Sequence, residues 1–370
     1  MLFPFARTGH TSVVRIVVTG ASGNVGTALL RRVADVGDVT VTGICRRPPP
    51  AVPPYDRATW VACDIGEPRA TRLLADALAG AAVLVHLAWA INPPTTDPPM
   101  ERTNLTGVHN VLLAAAEAGV PHVVCASSVA AYRPPPRWRE VDEKWPCDGV
   151  PGSAYSRSKV RLEDLLDRFV TNHPNVAVAR IRPCAIVQRD AAAEYTRWLL
   201  SPLLPAAALG RHWLPLPFWP GLRAQLVHAD DVADAIQLIL DQRAAGPFNL
   251  AAGPVLDAGG LAERIGGPVL PLPRSVVLAG AWATWRLGVQ PAHPGWLRLA
   301  DQAALVDTRR ARTELGWRPR YDSPAALADL VAGMRAGVGT ASPALAPTTP
   351  HGIAERLRAI HWGIPSHQAQ

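Results

Sequence analysis

The feature that most constrains the fold is a glycine-rich turn near the start of the chain. It reads TGASGNVG and joins an apolar, β-branched run at 13–19 to a helical stretch that extends to about residue 35. Small residues let the backbone approach a pyrophosphate, and the start of a helix offers unpaired N–H groups. The strand before the turn and the helix after it therefore predict a dinucleotide-binding site. The residues predicted to form it are Gly20, Ser22, Gly23, Asn24, Val25 and Gly26.

Short apolar runs continue to alternate with helical stretches through the first half of the chain. Besides 13–19, strands are predicted at 39–44, 59–63, 82–87, 122–127 and 176–181, and helices at 68–79, 101–118 and 153–171. Strands that alternate with helices of this length are typical of βαβ units. We therefore expect an α/β fold with a doubly wound parallel sheet of the Rossmann type.

The pattern changes after residue 182. The stretch 188–223 is rich in Pro, Leu and Trp, which is typical of a lobe packed over the sheet. A strand followed by a helix returns at 224–240, where Asp230 or Asp231 is expected to cap the helix, and 247–250 predicts one more short strand. The predicted division is a dinucleotide-binding domain at 13–182 with 224–250 returning to it, a smaller C-terminal substrate-binding lobe at 183–223 and 251–338, and a linker and tail at 339–370.

Composition excludes several classes of protein. No apolar run reaches the roughly 18–20 residues that a membrane-spanning helix needs, and the first residues lack the apolar stretch of a signal peptide. The net charge of +7 comes almost entirely from arginines spread along the chain, which indicates a solvated surface and not a nucleic-acid face. Five cysteines without a CxxC pair indicate a reducing cytoplasm and no structural metal site.

The end of the second strand distinguishes NAD from NADP. Enzymes that use NAD place an acid about 20 residues after the glycines, on the ribose hydroxyls. This chain has Arg46 and Arg47 there, and the next acid, Asp56, lies beyond a proline run. A guanidinium can bind a 2′-phosphate through two hydrogen bonds. We therefore favour NADP(H), with Arg46 as the contact, and NAD(H) remains the alternative cofactor.

A tyrosine and a lysine share one face of the helix predicted at 153–171. Tyr155 and Lys159 are four positions apart, and a lysine beside a phenol is expected to lower the pKa of the tyrosine toward the range of a general acid–base. Chance matches are few because the chain has only two lysines, Lys144 and Lys159. The fifth strand ends at two serines, Ser127 and Ser128, and either hydroxyl could meet a substrate oxygen at the carboxyl edge of the sheet.

With these motifs in this order, residues 13–330 resemble the extended short-chain dehydrogenase/reductase family, in its NAD-dependent epimerase/dehydratase branch. The resemblance rests on TGASGNVG, on HLAW at 86–89, on SSVAAY at 127–132, on YSRSK and on the segment LVHADDVADAI. It implies that Ser128, Tyr155 and Lys159 are catalytic. The further cofactor contacts that it implies are Asp64 and Ile65 at the adenine, and Leu87, Ala88, Trp89, Asn104, Ser127, Tyr155, Lys159 and Pro183.

The expected function is NADP(H)-dependent hydride transfer between nicotinamide and a carbonyl or alcohol carbon of a rather apolar small molecule. Arg223 stands one position away from the arginine that binds substrate phosphates in nucleotide-sugar enzymes of the family, and the neighbouring stretch 198–222 is strongly apolar. Two alternatives remain: a nucleotide-sugar epimerase or dehydratase with tightly bound NAD, and a non-catalytic cofactor sensor. His228 is expected to start a helix, and the family implies a homodimer.

Overall fold

A parallel sheet of seven strands organises the chain in this computed structural model, which describes residues 13–34, 36–91, 100–201 and 203–347. The strands are β1 Val14–Thr19, β2 Val39–Cys45, β3 Ala58–Ala62, β4 Val83–His86, β5 His122–Ala126, β6 Glu140–Val141, β7 Ala177–Pro183, β8 Ala185–Val187, β9 Leu216–Phe218, β10 Arg223–Ala224, β11 Leu226–His228, β12 Gly246–Leu250, β13 Leu256–Asp257, β14 Val269–Pro271 and β15 Leu305–Val306. The sheet order is β12-β7-β5-β4-β1-β2-β3, with every neighbouring pair parallel.

Helices cover both faces of this sheet and also build much of the C-terminal lobe. They are α1 Asn24–Val33, α2 Ala70–Leu78, α3 Val108–Glu117, α4 Ala154–Asn172, α5 Ala192–Leu199, α6 Ala229–Gln242, α7 Ala258–Ile265, α8 Arg274–Arg286, α9 Gly295–Gln302, α10 Arg309–Glu314 and α11 Ser323–Ala336. Alternate residues of β1 enter different cores: Ile16 and Val18 pack in one, and Val17 packs in the other. A strand buried on both faces is apolar at most positions, and β1 accordingly lacks polar alternation, with Arg15 and Thr19 as its two polar residues.

The predicted doubly wound sheet is confirmed, and each predicted strand of the first half lies within two residues of an observed one. The helix predicted at 101–118 is observed in two parts, a π-helical segment at Arg102–Gly107 followed by α3. The strand at 247–250 is β12, which extends the sheet beside β7.

The C-terminal lobe is built from short strand pairs and helices. β8 pairs with β11, β9 with β14 and β10 with β13. The prediction that an aspartate caps the helix after β11 is wrong: His228 is the N-cap of α6, and its Nδ1 accepts a hydrogen bond from the N–H of Asp230. His228 thus starts α6, as expected from the sequence. The aromatic ring of Tyr321 stacks on this histidine.

The segment 339–347, expected as a linker, packs against the dinucleotide-binding half. Ser342 and Leu345 are fully buried, and the hydroxyl of Ser342 donates to the carbonyl of Ser22 at 2.6 Å. The hydroxyl of Thr340 lies 2.7 Å from that of Tyr55. These contacts tie the segment to the glycine-rich turn. The rest of the predicted linker and tail, residues 348–370, and the amino-terminal stretch before residue 13 lie outside the described residues.

A buried ion cluster joins α4 to β7. The guanidinium of Arg182 donates to both oxygens of Glu163, at 2.9 and 2.8 Å, and Arg180 donates to the same carboxylate at 3.0 Å. The hydroxyl of Ser127 donates to Glu163 at 2.5 Å. Burial alone would raise the pKa of Glu163, but the hydrogen bonds and charge of Arg182 outweigh it and lower the pKa to about 2. The sequence reading did not identify this cluster.

We expect Glu163→Gln to destabilise the protein by about 3 kcal/mol at pH 7, because it leaves Arg182 buried without its counter-charge. The pKa of Glu163 is lowered on folding, so its contribution is fully present above pH 4.5 and is lost as the pH falls toward 2. Urea unfolding from pH 7 to pH 3 measures both effects. The control is Asp167→Asn, which removes an exposed partner of Arg180 and should cost less than about 1 kcal/mol. Equal losses in the two variants would contradict the assigned role of the cluster.

Candidate active site

The glycine-rich turn follows β1 at the carboxyl edge of the sheet. Gly20 has φ +73°, and a Cβ there would lie 2.6 Å from the backbone nitrogen of Ala88. A Cβ at Gly26 would lie 2.4 Å from the carbonyl oxygen of Gly20, so α1 can pack this closely only on a glycine. No side chain caps α1 and no acid stands in its first turn. Its first N–H groups have no intrahelical partner, and the turn therefore fits a pyrophosphate.

Other residues of the turn hold it in place. The amide of Asn24 donates to the carbonyl of Ile186 at 3.1 Å, and the amide of Gln188 donates to the side-chain oxygen of Asn24 at 2.7 Å. Ser22 is buried under the segment 339–347, and Val25 packs on the core. Asn24 thus connects the turn to β8.

Ser128, Tyr155 and Lys159 lie together after β5, as predicted. The side chain of Ser128 lies near enough to the Tyr155 phenol to lower its pKa, and the Ser128 oxygen accepts a hydrogen bond from the N–H of Ala130 at 3.1 Å. Ser153 caps α4 through a hydrogen bond from the N–H of Ser156, so the helix begins just before Tyr155. The two serines after β5 differ in their contacts. The hydroxyl of Ser127 donates to Glu163, whereas the side chain of Ser128 lies beside Tyr155.

Lys159 is buried, and its ammonium donates to the carbonyl of Ala126 at 2.9 Å. The same nitrogen lies 3.4 Å from the centroid of the Trp89 ring, a cation–π contact, and 5.8 Å from that of Tyr155. Burial lowers the pKa of Lys159 to about 7. Near neutral pH the amine of Lys159 is therefore partly protonated and partly neutral.

The expected lowering of the tyrosine pKa is wrong for this structure. Burial raises the pKa of Tyr155 to about 12, and only the hydrogen bond from Ser128 opposes it. The Lys159 ammonium does not stabilise the phenolate, because it faces Trp89 and the Ala126 carbonyl. The phenol of Tyr155 is consequently protonated at neutral pH.

Two tryptophans flank the Tyr155 phenol. The ring of Trp89 meets it edge to face at 6.4 Å between centroids, and that of Trp296, on α9, lies at 5.2 Å. Sequence reasoning placed Trp89 on the cofactor and did not find Trp296. The surroundings of the phenol are therefore apolar and aromatic.

The residues predicted at the adenine end follow β2 and β3. Arg46 is exposed and makes no hydrogen bond or ion pair with any residue that the structure describes. Asp64 is already engaged: one oxygen pairs with Arg102 at 2.7 Å and the other accepts the N–H of Gly66 at 3.0 Å. Ile65 is buried against Gly107. An adenine contact of Asp64 would have to share the carboxylate with Arg102.

The segment after β4 is shaped by backbone contacts. The N–H of Leu87 donates to the carbonyl of Thr19, which sets Leu87 and Ala88 beside the glycine-rich turn. Asn104 is buried, and its amide bonds both backbone groups of Ala90, at 2.7 and 2.9 Å. Asn104 thus holds the loop that carries Trp89. Pro183, the last residue of β7, lies buried at the same edge of the sheet.

One residue at this edge was missed by the sequence reading. His86 ends β4 fully buried, its Nδ1 lies 2.7 Å from the hydroxyl of Thr19, and its Nε2 has no partner among the described residues. Burial, and then the charge of Lys159, lower the pKa of His86 to about 3. The imidazole of His86 is therefore neutral at pH 7. In the sequence, the only indication of a buried polar residue here was a histidine at the end of an apolar strand.

The fold and these residues define a dinucleotide-binding α/β protein with a serine, a tyrosine and a lysine at the carboxyl edge of its sheet. The chain belongs to the NAD dependent epimerase/dehydratase family, whose model matches residues 16–251. The resemblance that the motifs indicated is therefore confirmed.

Individual relatives are more distant. An uncharacterized protein of Mycobacterium tuberculosis is 27% identical over 331 residues, 88% of this chain, but the chain spans only 31% of that relative's length. A 4-hydroxy-2-methyl-3-oxo-4-farnesyl-3,4-dihydroquinoline-1-oxide ketoreductase of Stigmatella aurantiaca is 26% identical, over 83% of this chain and 92% of its own. The UDP-glucose 4-epimerase of Thermus thermophilus, solved with NAD, has a TM-score of 0.65 at 18% identity, over 88% of this chain and 100% of its own. At that identity the likeness shows the fold alone.

We expect the free energy of unfolding of Lys159→Met to exceed that of the parent at pH 7. This difference in free energy should become about 2 kcal/mol smaller by pH 9. The reason is that folding lowers the pKa of Lys159 from 10.5 to about 7. The folded parent therefore carries the cost of a buried charge below pH 7, and this cost is relieved as the pH rises toward 10.5. Urea unfolding at both pH values measures the change. Lys144→Met, at the exposed second lysine, is the control and should show no such narrowing; a pH-independent difference for Lys159→Met would contradict the assignment.

Proposed function

We propose that this protein is an NADP(H)-dependent oxidoreductase that transfers a hydride between nicotinamide and a carbonyl or alcohol carbon of a rather apolar small molecule. The observation that carries the proposal is the meeting of Ser128, Tyr155 and Lys159 beside a turn that fits a pyrophosphate. A non-catalytic cofactor sensor would not require a buried lysine beside a serine and a tyrosine.

The residues have distinct roles in this reaction. A bound nicotinamide supplies the hydride donor or acceptor. In the direction of carbonyl reduction, the protonated phenol of Tyr155 donates its proton to the oxygen that develops negative charge. The hydroxyl of Ser128 orients that oxygen, and the ammonium of Lys159, on the same face of α4, holds the ribose of the cofactor. A pKa near 12 keeps the phenol in the form that donates.

An apolar substrate is supported by the two tryptophans that flank the phenol, Trp89 and Trp296. The name of the Stigmatella aurantiaca relative describes a ketoreductase of a farnesyl dihydroquinoline oxide, which combines a ketone with a long apolar chain. We propose the same substrate class here, a ketone on an apolar, partly aromatic framework.

The second candidate is a nucleotide-sugar epimerase or dehydratase with retained NAD, and one observation favours it. A cavity of about 540 Å³ is lined in part by Arg137, Arg223 and Arg274, which could attract phosphates. However, two of these arginines already bond Asp301, and Arg223 is buried and donates to the carbonyl of Ala303. The guanidinium groups of all three arginines are thus already engaged within the protein, so we rank this candidate second.

The proposal includes a division of labour along the chain. Residues 13–182 with 224–250 hold the cofactor, and residues 183–223 and 251–338 shape the substrate site. We also propose a homodimer through α3 and α4, as the family resemblance implies, and a cytoplasmic location, as the five cysteines without a CxxC pair indicate.

Turnover of apolar ketones with NADPH is expected for the parent protein, and Tyr155→Phe should lower it by about 10²–10⁴. The variant removes one hydroxyl, so its NADPH affinity should stay within about twofold of the parent's. Ser128→Ala should also lower turnover with little effect on the cofactor, whereas Lys159→Ala should weaken both. Stopped-flow absorbance at 340 nm and cofactor fluorescence titrations measure the two quantities.

The control for this experiment is Tyr321→Phe, whose hydroxyl makes no hydrogen bond with a described residue. The proposal is wrong if Tyr155→Phe keeps more than about a tenth of the parental turnover. Micromolar binding and turnover of a UDP-sugar, with no turnover of ketones, would instead place the epimerase or dehydratase first.

NADPH should bind at least tenfold more tightly than NADH, a difference of about 1.4 kcal/mol. Arg46 is exposed, makes no bond with the described residues and directly follows β2, so its guanidinium is available to a 2′-phosphate. Arg46→Asp should reduce or invert the preference, and the neighbouring Arg47→Asp, the matched control, should do so less. Fluorescence titration of each variant with both cofactors measures the ratio; equal affinities in the parent would favour NAD(H).

A further inference from the structure

Helix α8 is apolar over most of its surface, yet none of its residues is buried. Its sequence is RSVVLAGAWATWR, and the exposed fractions of Val276, Trp282 and Leu287, which directly follows the helix, are 50%, 57% and 70%. A helix that is apolar all round normally lies in a protein core or in lipid. Only its partly buried side is anchored, where Val277 packs against the cluster around Trp219. The exposed side therefore lacks a covering partner among the described residues.

Further exposed apolar side chains belong to the same lobe. Leu270 lies on β14, just before α8, and Trp213 precedes β9, the strand that pairs with β14. Leu199 and Leu203 flank Ser201, whose hydroxyl donates to the carbonyl of Val289 just after α8. We call α8 with Leu270 and Leu287 the apolar ridge. Because these exposed apolar side chains belong to the same lobe, the ridge is part of a larger exposed apolar surface.

Positive charge predominates around the ridge, although Arg274 at the start of α8 pairs with Asp301. Residues 265–300 contain no aspartate or glutamate, but they contain Arg274, Arg286 and Arg298. Arg286, at the end of α8, makes no hydrogen bond or ion pair within the part of the chain that the structure describes. One exposed tryptophan, Trp282, lies on the helix itself. Arginines and tryptophans around an apolar helix are the residues that occupy the boundary between lipid tails and anionic headgroups.

We propose that the apolar ridge docks the protein on the surface of a lipid bilayer that contains anionic headgroups. With 13 residues, α8 is about 20 Å long, shorter than the roughly 30 Å hydrocarbon core, so it lies in the interface and does not cross it. A second copy is a poorer occupant: in a two-fold dimer the ridge would face itself, and the acid that the structure shows bonded to α8, Asp301, is already shared by Arg137 and Arg274. Anionic headgroups supply the missing negative charge.

The ridge also connects to the active site along the chain. The ring of Trp285 on α8 contacts His293, at 4.6 Å between centroids, and three residues later Trp296 packs against Tyr155. An apolar substrate dissolved in the bilayer would thus enter beside the phenol. This consequence rests on the proposed function, whereas docking on the membrane does not.

Vesicle flotation with the purified full chain tests the proposal without any measurement of activity. Binding to vesicles of phosphatidylcholine with 30% phosphatidylglycerol should exceed binding to pure phosphatidylcholine at least tenfold and weaken with added salt. The triple variant Val276→Ser, Trp282→Ser, Leu287→Ser should lose at least tenfold of that binding. Arg286→Glu should mainly remove the preference for the anionic vesicles.

The matched control carries the same three changes at exposed apolar residues outside the ridge, Val52→Ser, Trp138→Ser and Leu73→Ser, and should bind as the parent does. Sedimentation velocity without lipid follows the oligomeric state of each protein. If the parent does not float with either vesicle, or if the triple variant floats as well as the control, the proposal is wrong. If the triple variant instead dissociates an oligomer and no protein floats, the ridge is a protein interface and the proposal is equally wrong.

Discussion

The geometry of the candidate active site depends on one buried carboxylate, Glu163, held by two arginines of β7. Glu163 lies one helical turn beyond Lys159 and two turns beyond Tyr155, so all three share a face of α4. The bidentate bond from Arg182 fixes the rotation and height of that helix against β7, and the bond from Ser127 fixes the end of β5. The serine, tyrosine and lysine that we propose as catalytic are thus aligned by an ion pair beneath them.

Tyr132 extends this network to the edge of the sheet. Its hydroxyl accepts from Arg182 at 2.9 Å and donates to Asn249 on β12 at 2.7 Å. A buried charge pair of this kind adds little net stability compared with apolar packing, but it tolerates few alternative geometries. The active site is accordingly specified by polar contacts beneath it, while the apolar cores on the two faces of the sheet provide the stability.

The sheet and its helices could be predicted because each element carries a periodicity of its own, as the apolar run of β1 and the glycine-rich turn illustrate. The lobe could not, since its strands are two or three residues long and pair with partners far along the chain, such as β8 with β11. The site was predictable in its residue types. The raised pKa of Tyr155 and the position of Trp296 were not, because burial and contacts across 141 positions leave no trace in local spacing. Likewise, the usual preference for aspartate at the N-cap favoured Asp230 as the cap of α6. The observed cap is His228, whose ring stacks on that of Tyr321, a contact that the sequence does not reveal.

The contact between Ser342 and Ser22 affects how the chain can fold while it is being synthesised. The two residues are 320 positions apart, and the hydroxyl of one is bonded to the backbone of the other inside the glycine-rich turn. A polypeptide is synthesised from its amino end, so the first βα unit leaves the ribosome long before its last packing partner exists. A nascent chain that has not yet reached Ser342 therefore holds its phosphate-binding turn with one side uncovered.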